Sequence, residues 1–532
     1  FKGKNMEVTL SSSFFSFKPA FIQADRTEEI VFSDDGRSVR AAGFDLSFAS
    51  KVAPQGIIGG YKKLIVNGLG WKIEISPSLI LLETDWLGMT NIYIDEKENI
   101  GGSDHKCLTD LTEIDPVGLD LYLRYGYCCL GKTPFENIRI LGAKESVSLR
   151  DGCSYIADRE DPFLPYTQRG VSSVDEIISL LSEWFVSNHG DNNSEIIIPL
   201  TGGYDSRLLT AVCREVFPSR KILSPTYSVS AVQNWSHEVV VARSVATLLN
   251  TKHKIVPLEV KNWNRKVDQW IELRGFSSHA HGMHFINFYE YIRNFTDSRF
   301  NISGLYGDVW SGNYDPMKSS SVANDFEGYF NPHGMTFNNH LKLEESRCLV
   351  RQSVLDGTKD LPEKVSHTVL MARNKIPLIN YLFGVPDNLG FQTSSPFIEP
   401  EIAAAMMHLP AELRGDRKWL SNYFSQEQLN IRTPLNPISG SNVFFVRCCL
   451  NTSFKNTEDA NLASKLPRED FVSHGIVGRL KLIIDIAIEY IATVTKIGLF
   501  IRPLNQYTRP IFGKMVRYYH LQPLIKVAAR RK

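Results

Sequence analysis

The feature that most constrains the fold of this sequence is an apolar run that ends in a glycine-rich turn. Ile196–Leu200 is continuously apolar, which is typical of a strand buried on both faces of a parallel sheet. Residues 201–207 then read T-G-G-Y-D-S-R, and Leu208–Val216 has helical spacing. The order strand, glycine loop, helix predicts a ligand-binding turn at the carboxyl end of a strand in an α/β sheet.

The same alternation of strand and helix continues after the glycine loop. The pattern predicts strands at Lys221–Tyr227 and His253–Leu258, with a helix at His237–Leu249 between them. Helical spacing also begins at Val174, before the apolar run. This alternation predicts a fold of the α/β class with a doubly wound parallel sheet.

Four segments are predicted along the chain. Residues 1–150 contain short strand-like runs between Gly and Asp/Asn turns, with one helix at Pro116–Tyr125. Residues 151–172 are richer in Pro, Asp and Arg and are interpreted as a linker. Residues 173–475 are predicted to form the α/β domain, and residues 476–532 a basic helical extension.

Composition argues against several classes of protein. The 532 residues carry 59 Lys and Arg against 58 Asp and Glu, so no general nucleic-acid-binding surface is expected. Eight Cys without CxxC or zinc-finger spacing favour reduced thiols in a cytoplasmic protein. Asp485, Glu489 and Lys496 interrupt the apolar stretch Leu482–Phe500, so no membrane-spanning helix is expected there.

The C-terminal extension is the strongly charged part of the chain. From Arg479 to Lys532 there are eleven Lys or Arg residues against only Asp485 and Glu489. A basic amphipathic helix can make weak contact with a membrane surface, and a packed helical layer with a solvated basic face has the same pattern. We favour packing and keep membrane contact as the alternative.

The residue types in the glycine loop suit the binding of a polyphosphate. Gly202 and Gly203 let backbone N–H groups approach an anion, the helix N-terminus adds partial positive charge, and Ser206 offers a hydroxyl donor. Asp205 suits a Mg²⁺ ion that bridges phosphates, and Arg207 adds a cation for phosphate or a carboxylate. The loop is neither a Walker A motif nor a G-x-G-x-x-G motif.

Together with three further segments, this loop resembles the S-G-G-x-D-S pyrophosphate loop of the ATP pyrophosphatases (PP-loop enzymes). The chain resembles the asparagine synthetase family, which includes β-lactam synthetases and lasso-peptide cyclases. Residues 304–314 resemble that family's G-E-G-x-D-E-L-F-G-G-Y loop, and residues 395–400 its V-P-F-L-D segment. Residues 227–253 resemble its second nucleotide-binding strand and helix. Residues 88–138 are similar, more weakly, to the end of its glutaminase domain. This implies a degenerate α+β sandwich of the Ntn-hydrolase type before the α/β domain.

The resemblance implies an ATP-dependent ligase that forms an amide. ATP would adenylate a small-molecule or peptide carboxylate with release of pyrophosphate, and ammonia or an amine would then displace AMP. The implied nucleotide contacts are Thr201, Gly202, Gly203, Asp205, Ser206, Tyr227 and Gly304. The implied Mg²⁺ ligands are Asp205 and Asp308, which count as catalytic together with the cation Arg432. No nucleic acid other than ATP itself is implied as a partner.

The sequence departs from the family pattern at three places. The family's glutaminase uses an N-terminal Cys, whereas the first Cys here is Cys107. We therefore expect no glutaminase activity, with nitrogen supplied by free ammonia, a separate glutaminase or a substrate amine; a start that has lost Met-Cys is the alternative. Leu305 stands where relatives carry Glu or Tyr. No Lys accompanies Arg432, where the family often reads R-P-K-Q.

Two other functions and one other site stay open. An intramolecular cyclase of the β-lactam or lasso-peptide type would use the same chemistry on a substrate that carries both amine and carboxylate. Leu305 and the missing Lys also suit a nucleotide-binding scaffold without catalysis. His279, His281 and His284 form an H-x-H-x-x-H cluster that suits a metal if the three converge, although a polar contact with substrate is the favoured interpretation.

Overall fold

A computed structural model gives the arrangement of the chain. The parts that the structure describes are most of residues 71–228, 234–312 and 343–431, the backbone of the strands before residue 71, and residues 326–330 and 521–527. Arg432, the stretch Leu482–Phe500 and most of the predicted basic extension lie outside the described residues.

The strands and helices of the described residues have the following bounds. The strands are β1 (Glu7–Leu10), β2 (Ala20–Gln23), β3 (Val31–Phe32), β4 (Ser38–Ala41), β5 (Phe44–Phe48), β6 (Tyr61–Gly68), β7 (Trp71–Ile75), β8 (Ile80–Thr84), β9 (Tyr93–Asp95), β10 (Ile100–Gly102), β11 (Ile138–Ile140), β12 (Glu145–Arg150), β13 (Cys153–Asp158), β14 (Ile196–Ile197), β15 (Ile222–Ser228), β16 (Lys252–Pro257), β17 (Phe300–Ile302) and β18 (Gln392–Ser394). The helices are α1 (Pro116–Tyr125), α2 (Val174–His189), α3 (Tyr204–Val216), α4 (His237–Leu248), α5 (Trp263–Arg274), α6 (His284–Ile292), α7 (Gly307–Trp310), α8 (Glu344–Gly357), α9 (Glu363–Ile379), α10 (Tyr381–Asn388), α11 (Pro400–Met407), α12 (Ala411–Arg414) and α13 (Lys418–Gln426).

The strands up to β13 build two sheets. One is mixed, with the order β11-β9-β10-β1-β5-β4-β3, since β1 runs parallel to both β10 and β5. The other, β13-β12-β8-β7-β6-β2, is antiparallel throughout. The strand-rich character predicted for residues 1–150 is confirmed, and the Ntn-hydrolase-like sandwich stays a prediction.

The second sheet extends past the predicted boundary at residue 150. β13 lies in the segment 151–172 that was interpreted as a linker, and it pairs with β12 from Arg150↔Cys153 to Glu145↔Asp158. In sequence, the two residues between these strands, Asp151-Gly152, are typical of a two-residue hairpin turn. The linker interpretation is therefore wrong for Cys153–Asp158, because this segment pairs with β12 as the edge strand of the second sheet.

Helix α1 has the predicted bounds, and capping explains both of its ends. The Asp115 carboxylate accepts hydrogen bonds from Val117 N at 2.9 Å and Gly118 N at 3.0 Å, so two N–H groups of the first turn are satisfied. Gly126 ends the helix at a φ of 84°, in the left-handed region that favours glycine.

The last five strands form one parallel sheet with the order β16-β15-β14-β17-β18. β14 is the first of these five strands in the sequence. β15 and β16 follow on one side of it, and β17 and β18 on the other. The resulting order is that of doubly wound sheets. The predicted α/β class with a parallel sheet is thereby confirmed. The order reverses between β14 and β17, and such a switch point opens a crevice at the carboxyl ends of the two strands.

Apolar packing joins the N-terminal sheets to the helices beside this crevice. Trp86, which follows β8, and Tyr125 of α1 lie in the same buried cluster as Leu208 of α3 and Trp310 of α7. Trp86 Nε1 donates to Ile398 O at 2.8 Å, and the Trp86 ring lies 5.6 Å from the Trp310 ring. The two parts of the chain therefore share one core next to the switch point.

The last described residues pack against α5. Leu521 and Leu524 are buried in one cluster with Trp270, and Lys526 Nζ lies 3.1 Å from Asp268 Oδ1. Packing thus accounts for this end of the extension, and membrane contact stays a prediction. In the part of the chain that the structure describes, no helix combines the length and the hydropathy needed to cross a bilayer.

Candidate functional site

Two glycine-containing loops border the crevice between β14 and β17. Residues 201–203 lead into α3, and residues 303–306 join β17 to α7. A Cβ on Gly304 would lie 3.4 Å from the Asp205 Cβ, and a Cβ on Gly307 only 2.8 Å from it. The absence of side chains at these two positions lets the loops approach each other. The structure therefore brings together the two segments that the sequence singled out.

Hydrogen bonds between Thr201 and Ser206 hold the first loop closed. Thr201 N donates to Ser206 Oγ at 3.1 Å, and the two side-chain hydroxyls lie 3.2 Å apart. Gly203 N donates to Thr201 Oγ1 at 3.1 Å. Thr201 and Gly203 are exposed at the mouth of the crevice, whereas Ser206 is buried. The Ser206 hydroxyl thus shapes the loop, and its contact with a phosphate stays a prediction.

Gly202 lies beneath the start of α4, on the side of the crevice that faces β15. A Cβ there would lie 2.9 Å from the Glu238 Cα, so α4 approaches as closely as a glycine permits. Burial raises the pKa of Glu238 to about 7. Burial, and then the charge of Glu238, raise the pKa of Tyr227 above its usual range. Tyr227, predicted as a nucleotide contact, therefore lies beside Glu238 near the carboxyl end of β15.

Asp308 lies close enough to Asp205 to influence the ionisation of Asp205. Burial and then repulsion by Asp308 raise the pKa of Asp205 to about 8, while Arg417 and the Asp205 backbone amide oppose the rise. Two carboxylates in one partly buried site suit a divalent cation between them. Mg²⁺ is commonly held by one or two carboxylates together with phosphate oxygens. The donor set therefore fits the predicted Mg²⁺ site.

The metal interpretation of His279, His281 and His284 stays a prediction, because the side chain of His281 lies outside the described residues. Among the side chains that are described, no group of three or more His, Cys, Asp and Glu is arranged to hold a metal. His279 and His284 are both buried. The His284 ring packs 4.7 Å from the Phe285 ring and 5.1 Å from the Tyr227 ring. Aromatic packing thus accounts for the burial of His284.

Arg207 is a structural residue and does not offer a cation to a ligand. Its side chain is 1% exposed. Arg207 Nη2 donates to Gly202 O at 3.0 Å, and Nη1 donates to Leu429 O at 3.1 Å. The prediction that Arg207 contacts phosphate or a carboxylate was wrong, because the guanidinium turns inward and supports the glycine loop through backbone carbonyls.

Leu305 and Tyr306 support the second loop from within the core. Leu305 is buried in the main apolar cluster. Tyr306 has a φ of 70°, which few non-glycine residues adopt, and its hydroxyl donates to Ala372 O at 2.7 Å. Leu305 thus places no polar group at the crevice. Tyr306 does not supply one either, because its hydroxyl is hydrogen-bonded to Ala372 O in the core.

Two cations near the carboxylate pair were not found from the sequence. Lys375 of α9 is attracted to Asp308; burial lowers the pKa of Lys375, and the Asp308 charge opposes the shift. Arg417, immediately before α13, has its guanidinium 4.9 Å from the centre of the Tyr204 ring. Both lie far along the chain from the glycine loop, and nothing in their local sequence marks them.

No family model matches the chain, and no curated protein matches it significantly. The likeness to asparagine synthetases therefore rests on the motifs quoted above.

Proposed function

We propose that the protein is an ATP-dependent ligase of the asparagine synthetase type, with the fold of the ATP pyrophosphatases in its α/β part. It would join a carboxylate to ammonia or an amine and convert ATP to AMP and pyrophosphate. The observation that carries the proposal is the meeting of the T-G-G-Y-D-S loop with the loop at Gly304, beside Asp205 and Asp308. Ligands of α/β sheets bind at such switch points.

The residues around the crevice suit a nucleotide with its polyphosphate over the glycine loop. The first turn of α3, which begins at Tyr204, attracts an anion through its N–H groups and its partial positive charge. Asp205 and Asp308 would hold Mg²⁺, which when bound neutralises charge on the leaving pyrophosphate. Tyr227 and Gly202 border the side of the crevice left for the nucleoside.

The proposed reaction has two displacements. A carboxylate oxygen attacks the α-phosphorus of ATP, and pyrophosphate leaves with the bonding electrons. The nitrogen of ammonia or an amine then attacks the activated carbonyl carbon, AMP leaves with the original carboxylate oxygen, and the nitrogen loses a proton. Negative charge grows on pyrophosphate in the first step, so fixed positive charge such as that of Lys375 favours it. The role of Arg432 stays a prediction.

The test is pyrophosphate release from ATP and Mg²⁺, with pools of carboxylates and with or without ammonia. We expect AMP and pyrophosphate in equal amounts, dependent on a carboxylate and lost in Asp205→Asn. Asp191→Asn is the matched control. Asp191 is exposed and precedes β14 in the sequence, whereas the glycine loop follows β14. Full activity of Asp205→Asn would exclude the assigned metal site.

A nucleotide-binding scaffold without catalysis is the second candidate. The observation that favours it is the commitment of Leu305 and Tyr306 to the core, which leaves no polar side chain where relatives carry one. It predicts ATP binding by calorimetry without pyrophosphate release for any carboxylate.

Both proposals include a cytoplasmic location, because ATP is available there and Cys128, Cys129 and Cys213 are free thiols.

A further inference from the structure

A strained turn precedes α13 at the edge of the crevice. Asp416 and Arg417 both have positive φ, at 52° and 55°. L-residues with a side chain avoid this left-handed region, and two in succession persist only where the surrounding structure enforces them. Two strained residues in succession therefore indicate that the surrounding contacts fix the position of this turn.

Contacts with α7 hold the turn from both sides. Before it, Arg414 Nε donates to Trp310 O at 3.3 Å, and a Cβ on Gly312 would lie 2.2 Å from Arg414 O. After it, Trp419 Nε1 donates to Ser311 O at 3.2 Å. The chain between these anchors has little freedom, so the left-handed backbone fixes where the Arg417 side chain can go.

Arg417 is directed to the first residues of α3. Its guanidinium lies 4.9 Å from the centre of the Tyr204 ring, and its charge acts on Asp205, the next residue. Arg207 also lies near the Tyr204 ring, at 5.2 Å, but its guanidinium bonds backbone carbonyls. Among the described residues, Arg417 has no hydrogen-bonded acceptor, and its guanidinium carries five donors.

We propose that Arg417 binds the polyphosphate of the nucleotide, beside the Mg²⁺ ligand Asp205. This inference rests on the proposed function and adds a specific phosphate-binding residue to it. A guanidinium matches two phosphate oxygens at once, which an ammonium does not. The charge of Arg417 acts on Asp205, so its guanidinium would lie beside the phosphate groups of a nucleotide whose metal ion Asp205 holds.

Binding measurements separate this role from a structural one. Calorimetry is carried out on the full chain with inorganic pyrophosphate, with ATP, and with AMP, each in the presence of Mg²⁺. We expect Arg417→Gln to weaken pyrophosphate and ATP binding roughly 10- to 100-fold and to leave AMP binding unchanged. The affinity of Arg417→Lys for pyrophosphate and ATP should lie between those of the wild type and Arg417→Gln. Arg351→Gln, on the exposed side of α8, is the matched control and should bind as the wild type does.

A second variant distinguishes loss of a phosphate contact from loss of the fold. Asn tolerates left-handed backbone better than most residues, so Arg417→Asn should keep the melting temperature while losing pyrophosphate affinity. Unchanged pyrophosphate affinity in both Arg417→Gln and Arg417→Asn would overturn the inference, with or without a lower melting temperature. Absence of ATP and pyrophosphate binding in the wild type would instead overturn the proposed function, and this inference with it.

Discussion

Gly307 packs against Asp205 so closely that no side chain fits between them. A Cβ on residue 307 would lie 2.8 Å from the Cβ and from the carboxyl carbon of Asp205, and 2.7 Å from the Phe397 ring. The backbone at the start of α7 therefore forms the wall beside the Asp205 carboxylate. Because Asp308 is the next residue, this contact also governs how far apart the two carboxylates lie.

We expect Gly307→Ala to weaken Mg²⁺-dependent ATP binding. The added methyl must displace the Asp205 carboxylate or the Phe397 ring, and overpacking of this kind costs about 1–3 kcal/mol. Calorimetry with Mg²⁺-ATP and thermal unfolding measure the two effects. Gly170→Ala is the control, since a Cβ there meets nothing within 4 Å. Unaltered ATP affinity in Gly307→Ala would show that the contact does not set the site.

We expect the ligand-free protein to lose stability through Asp205 as the pH rises. Burial and repulsion by Asp308 raise the pKa of Asp205 from 3.8 to about 8, so the folded state keeps a proton that the unfolded chain releases. The favourable contribution is complete below pH 3.8 and is lost as the pH rises through about 8. Asp205→Asn should therefore exceed the wild type in free energy of unfolding by roughly 1–2 kcal/mol at pH 8.

Urea unfolding between pH 4 and 8 measures this difference. Asp191→Asn should follow the wild-type profile, because Asp191 is exposed. Saturating Mg²⁺ should reduce the loss in the wild type, since a cation between the carboxylates favours the ionised form. A wild-type profile that matches Asp205→Asn throughout would contradict the prediction.

The sequence predicted the parts of the site that come from one continuous stretch of chain. Strand, loop and helix around residues 196–216 followed from the apolar run and the spacing after it, and the rule that ligands bind at the carboxyl ends of strands then located the crevice. The meeting of that loop with Gly304 was an expectation from family resemblance, and the parallel sheet places both loops at the same edge.

Other parts of the site depend on packing that sequence patterns do not encode. Lys375 lies within a helix and Arg417 just before one, where such residues are common, and they reach the crevice only because α9 and α13 pack beside it. Arg207 shows the converse, since a cation beside the loop in sequence turns inward to bond Gly202 O. Adjacency in sequence therefore did not determine which cations lie near the carboxylate pair.

We expect Lys375→Met to lower the rate of pyrophosphate release far more than it weakens binding of Mg²⁺. In the proposed reaction, an ammonium beside Asp308 would stabilise charge on the leaving group, and loss of one such group costs about 10²- to 10³-fold in kcat. The measurement is kcat together with the Mg²⁺ concentration for half-maximal rate. Lys364→Met, exposed on the same helix, is the matched control. An increase in that Mg²⁺ concentration with unchanged kcat would show that Lys375 only positions Asp308.

A buried ion pair links α9 to the N-terminal part of the chain. Arg373 Nη1 and Nη2 donate to the two carboxylate oxygens of Asp161 at 2.6 and 2.7 Å, and Nε donates to Trp86 O at 2.7 Å. The Asp161 side chain is fully buried. Removal of one member of such a pair leaves the other charge buried without its partner, so Asp161→Asn should destabilise the fold by about 3–5 kcal/mol near pH 7.

The pH dependence distinguishes this pair from a loss of packing alone. Burial by itself would raise the pKa of Asp161, but the hydrogen bonds and charge of Arg373 outweigh it and hold the pKa below 3.8. The contribution of the pair is therefore present above pH 3.8 and is lost as the pH falls through the lowered value. Urea unfolding should show a large difference between wild type and Asp161→Asn at pH 7 and a smaller one near pH 3. An equal difference at both pH values would mean that shape, and not charge, makes Asp161 necessary.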